Sequence, residues 1–380
     1  MRLVRGPGLR QRRRHGLRRA LARGRRLTRT AVVVVNWNHA DLTVRAARAV
    51  LADGAADDVV VVDNGSSDDS VAVLRRELPD ATIVVREHNG GFAAGANAGI
   101  TETGADIVVL LNNDAVPAPG FVGALRDHLT HAAPEVAAVT GRIVLAGRWA
   151  SLPSGAQPGP DQRALAGHDG RLWVPSPDGS VRLNSTGVRV DRVGNGSDRD
   201  WLAPADTVAA TTVFGFSGGA SALRRSALED VGLLDESLFM YYEDTELAWR
   251  LARRGYRVEY VADAVVEHDH SASSGVRSDL FVYRNARNRV LVALWHAPWP
   301  VVGRALVRTA GRALRGLSGA SGASGASGAS GGPGGSDRRE ARLVLAALGD
   351  VVRHLPRHLA RRRAESARAV VPSSRVDTGA

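Results

Sequence analysis

The feature that most constrains how this chain can fold is a unit repeated through its first third: a short aliphatic run, a polar cluster, then an amphipathic stretch. Ala31–Val35 leads into Asn36-Trp37-Asn38, and Val59–Val62 leads into Asp63-Asn64-Gly65-Ser66-Ser67-Asp68. Thr82–Val85 precedes Asn89-Gly90-Gly91-Phe92, and Ile107–Leu111 leads into Asn112-Asn113-Asp114. Continuous β-branched runs of this length read as parallel strands buried on both faces. The stretches between them, Asp41–Ala52, Asp68–Leu78 and Phe92–Thr103, predict helices joined by short loops and so βαβ units. A helix near Gly120–Thr130 and a strand near Val136–Thr140 continue the series. The expectation is an open, doubly wound sheet whose ligand crevice lies beyond the carboxyl ends of the strands, where the four polar clusters converge.

Composition removes several chemistries from that crevice. The 380 residues include no cysteine, which excludes disulfides, thiolate metal sites and cysteine nucleophiles and favours a reducing compartment. They include no lysine either, so all 50 basic residues are arginine, and neither a Walker-type phosphate loop nor a Schiff-base lysine can form. Dinucleotide binding needs a GxGxxG turn directly after a strand. The first strand is followed by Asn36-Trp37-Asn38, and Gly90, Gly91 and Gly95 do not have the spacing.

The net charge of +11 is unevenly placed. Residues 1–30 carry 12 arginines and no acid, residues 301–380 carry 14 arginines and 5 acids, and residues 31–300 carry 24 arginines against 34 acids. An acidic body with basic ends fits contacts with anionic headgroups, with acidic partners or with nucleic acid through non-specific electrostatics, or simply solubilising tails. No run of 18 apolar residues exists; Val290–Val307 is broken by His296, Pro298, Pro300 and Arg304. The N-terminus lacks an apolar signal core, so the expected location is cytoplasmic, with peripheral contact on the inner face of the membrane.

Past Ile143 the sequence turns to Pro, Gly, Asp and Arg with isolated Trp149, Trp173 and Trp201, and loops with short hairpins are expected up to Ala210. Glu243–Arg254 has a helical apolar face and stops at Gly255, with strands expected at Arg257–Val261 and Ala264–Glu267. Four Ser-Gly-Ala copies from Ser318 open a flexible linker that runs to Ser336, and Arg338–Arg363 predicts a basic amphipathic helix interrupted by Pro356. The expected division is a basic disordered tail over 1–29, a catalytic domain over 30–270, a helical segment over 271–317, the linker over 318–336, and a basic amphipathic helix and tail over 337–380.

Individual polar residues admit plain explanations. Asp63-Asn64-Gly65 could form a turn, and Ser67 or Asp68 could cap a helix. Asp114 at a strand end suits a hard divalent cation that still accepts phosphate oxygens, or it caps the turn before Pro117. Glu243-Asp244 opens a helix, where the dipole alone favours acids. Glu267-His268-Asp269-His270 could supply a ligand to the same cation or form an exposed loop.

Taken in order, VVVVNWN, VVVDNGSSDDS, NGGFAAGANAGI, LLNNDAVP, GFSGGASALRRSAL and MYYEDTELAWRLARRGY, followed by HDH, closely resemble the family 2 glycosyltransferases, in particular the bacterial rhamnosyltransferase-like subgroup. The resemblance covers about Thr30 to Arg289. It implies a GT-A fold: a single mixed, mainly parallel sheet flanked by helices, here with a C-terminal helical extension. It also implies a nucleoside-diphosphate sugar donor, a divalent cation (Mg2+ or Mn2+) and inversion at the anomeric carbon. By position, Asn36, Asp63 and Asn64 match residues lining the nucleoside pocket, Asn97 lies where the family contacts the donor, and Asn112-Asn113-Asp114 replaces the usual Asp-x-Asp. Asn113 stays on the donor side, and Asp114 is left as the carboxylate ligand. His268 falls where similar enzymes place a metal-binding histidine and is preferred to His270.

Single displacement needs a base to take the acceptor's proton and a cation to absorb charge on the departing diphosphate. Asp244 is assigned as the base, with Glu243 binding or orienting the acceptor. The Phe216–Ala220 segment resembles the acceptor-side loop. The expected activity is transfer of a sugar, L-rhamnose by resemblance, to a glycan or polyprenyl-linked acceptor in cell-wall or surface polysaccharide synthesis. Rivals are transfer of galactofuranose or N-acetylglucosamine, nucleotide binding without turnover, and a non-catalytic nucleic-acid binder built on the arginine tails.

Overall fold

The computed structural model describes residues 28–159, 162–269, 278–318 and 335–380. Most of the expected basic tail and of the Ser-Gly-Ala linker lies outside these residues, as does His270.

The first half alternates as expected: β1 (Thr30–Asn36), α1 (Ala40–Asp53), β2 (Asp58–Asp63), α2 (Ser70–Glu77), β3 (Thr82–Val85), α3 (Gly91–Glu102) and β4 (Ile107–Asn112). A short β5 (Ala115–Pro117), α4 (Phe121–His131) and β6 (Val136–Leu145) follow. Strands β1, β2, β3 and β4 pair in parallel; helices cover both faces of β1, β2 and β4, whereas β3, expected to be buried on both faces, is the edge strand and leaves Val85 46% exposed. On one face Val32, Val34, Val59 and Val61 pack with Val44, Leu74 and Phe121; on the other, Val33, Val60 and Val62 pack with Ala93, Ala96 and Ile100. Adjacent valines thus serve opposite layers, as the two-residue period of a strand requires. The small residues of α3 set its distance from the sheet: a Cβ on Gly99 would stand 2.3 Å from Val33 Cγ1.

The Pro- and Gly-rich middle forms short antiparallel pairs, in keeping with the expected hairpins. They are β7 (Trp149–Ser151), β8 (Leu165–Ala166), β9 (Leu172–Pro175), β10 (Leu183–Ser185), β11 (Val188–Val190) and β12 (Gly196–Asp198). The chain re-enters the sheet with β13 (Thr212–Val213) and β14 (Ala220–Arg224), then α5 (Arg225–Val231), α6 (Glu243–Arg253) and β15 (Arg257–His268). The sheet order is β13-β15-β6-β14-β4-β1-β2-β3, and β14 runs antiparallel to both β4 and β6. The sheet is therefore mixed and mainly parallel. The two strands expected at 257–261 and 264–267 are one strand: a register shift between Val261 and Val265 bulges it, while pairing with β6 continues on both sides.

The C-terminal helices are α7 (Asp279–His296), α8 (Trp299–Ser318), α9 (Gly335–Arg353) and α10 (Leu355–Arg368). Trp249 of α6 packs with Leu291, Trp295 and Val302 in a core of their own, while Leu247 and Leu251 of the same helix pack on the sheet, so α6 joins the two layers. The amphipathic segment expected after the linker is two helices, with Pro356 at the start of the second. On α9 Val344 and Ala347, with Ala341 and Val351, are buried, packed partly on Val282, Ala286 and Ala313, while Leu345 and Val352 stay exposed. The last residues close back on the body: Val370 and Val371 donate to Arg253 O at 2.8 Å, and Val190 N–H donates to Thr378 O at 2.9 Å. Among the described residues no helix is long and apolar enough to cross a membrane.

Candidate active site

The carboxyl ends of β1 and β2 carry a hydrogen-bonded scaffold. Asn36 Nδ2 donates to Asp63 Oδ1 at 3.1 Å, Thr43 Oγ1 donates to Asn36 Oδ1 at 2.7 Å, and Ser66 N–H donates to Asp63 Oδ2 at 3.1 Å. Asn64 Oδ1 accepts from Arg86 at 2.7 Å while its amide nitrogen donates to Gly91 O and Asn89 Oδ1. These expected nucleoside-pocket residues stand together and are almost fully buried. Gly91 makes the packing possible: its φ is +82°, and a Cβ there would stand 2.1 Å from Phe239 O. Trp37, by contrast, is 45% exposed at the end of β1.

Asn97 occupies a different setting from its neighbours in the expected set. Its amide donates to Leu234 O and to Glu236, and its oxygen accepts from Leu234 N–H, so it ties α3 to the 234–236 turn. With those groups committed, its place in the structure is that of a brace behind the crevice.

Asn113 and Asp114 are buried where β4 ends. From there β5 pairs antiparallel with the end of β15, setting Ala115 opposite His268. That pairing brings His268 Nε2 to 3.0 Å from Asp114 Oδ1, and His268 Nδ1 lies 2.6 Å from Asn184 Oδ1. With the Asn184 amide in this orientation both ring nitrogens face oxygens that accept. An Nδ1–H donated to Asn184 turns Nε2 toward the Asp114 carboxylate. One carboxylate and one imidazole are donors that a divalent cation accepts, and they leave most of its coordination open to diphosphate oxygens. Among the described residues no group of three or more His, Asp or Glu side chains is placed to hold a metal ion. A pocket of 480 Å³ opens beside Asp114, lined also by Arg45, Val116, Pro117, Glu267 and Asp269.

The Phe216–Ala220 loop joins this strand end to α6. Asn112 N–H donates to Gly219 O at 3.0 Å, and Gly218 N–H donates to Asp244 Oδ2 at 3.2 Å. Asp244 Oδ1 accepts from Thr245 N–H at 2.5 Å and from its hydroxyl at 3.1 Å. Burial raises the Asp244 carboxyl above its ordinary value, against the pull of these hydrogen bonds. Glu243 is more deeply buried, and its Oε2 has no hydrogen-bond partner among the described residues. Burial and the neighbouring Asp244 charge push it up to about 8. Two adjacent carboxyls therefore have different surroundings: Asp244 is held by donors at the cleft, and Glu243 is desolvated behind it.

One acid of this cleft has no signature in the linear sequence. Asp198, on β12, is raised to about 6, by desolvation first and then by the charge of Asp244, while the Ser185 hydroxyl and His268 pull it down. Asn184 and Asp198 both come from the irregular middle of the chain, where no periodicity marks them.

Beneath the cleft α6 is anchored by a buried charge network. Glu246 accepts from Arg250 at 2.7 Å and from His296 Nε2 at 2.9 Å, and Arg361 of α10 reaches it at 2.9 Å. Burial opposes the Glu246 charge, but Arg250 and His296 outweigh it and hold the carboxyl below its usual range. Burial also depresses His296, whose Nδ1 has no hydrogen-bond partner among the described residues, as a neutral ring donating through Nε2 would have it.

The glycosyl transferase family 2 model matches residues 31–154, and the glycosyl transferase family group 2 model matches residues 194–295. The chain is 30% identical over 191 residues to the pre-mycofactocin glycosyltransferase of Mycobacterium tuberculosis, a match covering 50% of this chain and 33% of that protein. It is 28% identical over 229 residues to the N-acetylglucosaminyl-diphospho-decaprenol L-rhamnosyltransferase of the same organism, covering 57% of this chain and 68% of that one. The chain thus spans about a third of the first relative's length. The structure of GalNAc-T7 with UDP, GalNAc and Mn2+ superposes with a TM-score of 0.50 at 15% identity, over 70% of this chain and 48% of that one, and has the same fold. With the motif-bearing segments on both sides of the cleft matched by family models, the chain belongs to the family 2 glycosyltransferases and has their GT-A fold.

Proposed function

We propose that the protein is an inverting glycosyltransferase that moves a sugar from a nucleoside diphosphate to a hydroxyl of a glycan or lipid-linked acceptor. The observation that carries this reading is the Phe216–Ala220 loop, which holds Asp244 on one side and the Asn112–Asp114 strand end on the other. In this reading Asp244 is the proton acceptor and Asp114 the diphosphate-side carboxylate, on either side of that loop. Residues 30–270 form the catalytic unit in this reading, with the C-terminal helices as its support.

The Asn36, Asp63 and Asn64 scaffold shapes the nucleoside end, and the exposed indole of Trp37 offers a flat face for the base. Asp114 and His268 would hold Mg2+ or Mn2+, and Asn184 fixes the imidazole that does so. When bound, the cation neutralises charge on the leaving diphosphate. Asp244 removes the acceptor hydroxyl proton as the new C–O bond forms and the bond to the diphosphate breaks on the opposite face. Its raised proton affinity suits the task, because a stronger base takes that proton more readily. Glu243, its carboxyl pushed up to about 8, adds no second full negative charge beside Asp244 near neutrality and is the neighbour that binds or orients the acceptor.

L-rhamnose is the first sugar to test, because it is named in the decaprenol-acting relative and because the motifs resemble that subgroup. That same name motivates a polyprenyl-linked acceptor. The test is release of nucleoside diphosphate in Mn2+ from thymidine- and uridine-diphosphate sugars, by wild type, Asp114→Ala and Asp244→Asn. Release with one donor, lost in both variants, supports the reading and names the donor class. Competition among rhamnose, galactofuranose and N-acetylglucosamine donors separates the sugars. Donor binding without release at any acceptor tried sinks the transferase reading in favour of a binding module.

A further inference from the structure

Away from the cleft, α8 displays a row of exposed apolar side chains. This helix buries Val302, Ala305, Thr309, Ala313 and Gly316, a spacing of three and four that fixes one inward face. Pro300, Val307 and Leu314, each seven residues apart, therefore line the outward face. Val307 is 74% exposed, Leu314 63% and Trp299, at the start of the helix, 58%. Arg304, Arg308 and Arg315 run alongside that row, and the helix contains no acid. A shallow groove of 540 Å³ lies between α8 and the turn of the β11–β12 hairpin, lined by Val193, Pro300, Gly303, Arg304, Val307 and Arg308.

Isolated apolar residues on a surface are ordinary, but a row of them edged by cations of one sign is the pattern of a helix lying in a lipid interface. We propose that the outward face of α8 docks on the surface of an anionic bilayer, with Val307 and Leu314 at the headgroup boundary and the flanking arginines on lipid phosphates. Charge complementarity selects this occupant. The helix itself has four arginines and no acid; Arg312 is paired with Glu340 and Arg308 lies 4.0 Å from Asp191, so Arg304 and Arg315 carry the attraction, each such charge near an anionic surface adding roughly fivefold to partitioning. Guanidinium groups also pair with phosphate oxygens two at a time. Within the basic C-terminal helices the role falls to α8, since Ala341, Val344, Ala347 and Val351 of α9 are buried within the protein.

The docking face is joined to the cleft by one element. Arg304 donates to Arg192 O, and a Cβ on Gly194 would touch Ala305, so the hairpin turn sits on α8. In the same hairpin Gly196 N–H donates to Tyr242 Oη, next to Glu243, and β12 ends at Asp198. A surface held by this face would therefore keep a constant relation to the cleft.

The test uses no sugar and so stands or falls apart from the transferase reading. Because the chain has no cysteine, Val307→Cys gives a single site for a polarity-sensitive thiol label, and Glu102→Cys on α3 gives an exposed control. With phosphatidylcholine vesicles containing about 30% phosphatidylglycerol, the label at 307 should shift to the blue while the label at 102 does not. The shift should be absent with pure phosphatidylcholine and weakened in about 0.5 M salt. In unlabelled full-length protein, Val307→Glu with Leu314→Glu should cut the vesicle-bound fraction about tenfold, with an unchanged thermal melt. Pelleting with vesicles but no shift at 307 would overturn the proposal, because contact would then lie elsewhere, as through the arginines of residues 1–27. A shift that follows protein concentration without vesicles would overturn it in favour of a second copy of the chain.

Discussion

His268 Nε2 stands 3.0 Å from Asp114 Oδ1, across 154 residues of sequence, because β5 folds back antiparallel along the end of β15. The other ring nitrogen meets Asn184 Oδ1 at 2.6 Å, and this partner decides which nitrogen is turned toward the carboxylate. Asn184→Ala removes the partner and leaves Asp114 and His268 in place. The expected result is a rise of about 10- to 100-fold in the Mn2+ concentration needed for half-maximal activity, with the maximal rate at saturating metal less affected. A Mn2+ titration of turnover checks it. An unchanged titration curve would mean the imidazole is oriented without Asn184.

Asp244 carries a carboxyl raised by burial, and as a base it works only when ionised. The acidic limb of log kcat/KM should therefore lie above the value of about 3.9 for a free aspartate, with activity rising as pH increases through it. Asp244→Asn should lower kcat by at least about 100-fold and abolish that limb in the residual rate. A pH–rate profile of both proteins decides the matter, and a limb that persists in the variant assigns the base to another group.

Glu243 is raised from 4.5 to about 8, so the folded protein keeps a proton that the unfolded chain gives up. The stabilisation this provides is complete below about pH 4.5 and is lost as pH rises toward 8. Glu243→Gln, which cannot ionise, should flatten the fall of Tm across that interval. At pH 8 and above it should melt higher than wild type, on the order of 2–4 °C for each kcal/mol relieved. Parallel Tm–pH curves for the two proteins would refute the shift.

Arg250 is the principal partner of the buried Glu246 carboxylate, and it also donates to the carbonyls of Val231, Gly232 and Leu233. Arg250→Ala would leave the Glu246 charge with His296 and Arg361 only and would release the turn after α5. A loss of about 3–5 kcal/mol is expected from denaturant unfolding. Because α6 carries Asp244 at its first turn, kcat should fall as well. A variant with wild-type stability would show that Arg361 and His296 suffice.

Much of this architecture was legible in the residues themselves. The valine runs read as strands buried on both faces, and β1, β2 and β4 are such strands, with Asn36, Asp63 and Asn112–Asp114 at their ends. Register and sheet face follow from a period of two that any one strand displays locally. The helix at Glu243 was equally local, set by its apolar face and by Gly255.

Other features depended on long-range pairing. Nothing near Asn184 or Asp198 in the chain marks either residue, since they reach the cleft through short hairpins whose positions are set by contact with β6 and by the turn chemistry of a Pro- and Gly-rich stretch. The family resemblance puts Asn97 at the donor, and in the structure its amide donates to Leu234 O, 137 positions away. The amphipathic pattern of α9 was plain, but periodicity states only that a face is apolar and not what covers it. Sequence fixes which side chains must leave water, because burial of apolar surface is a local cost repeated along the chain. Which distant groups meet, and which apolar faces find a protein partner, is decided only when the elements pack.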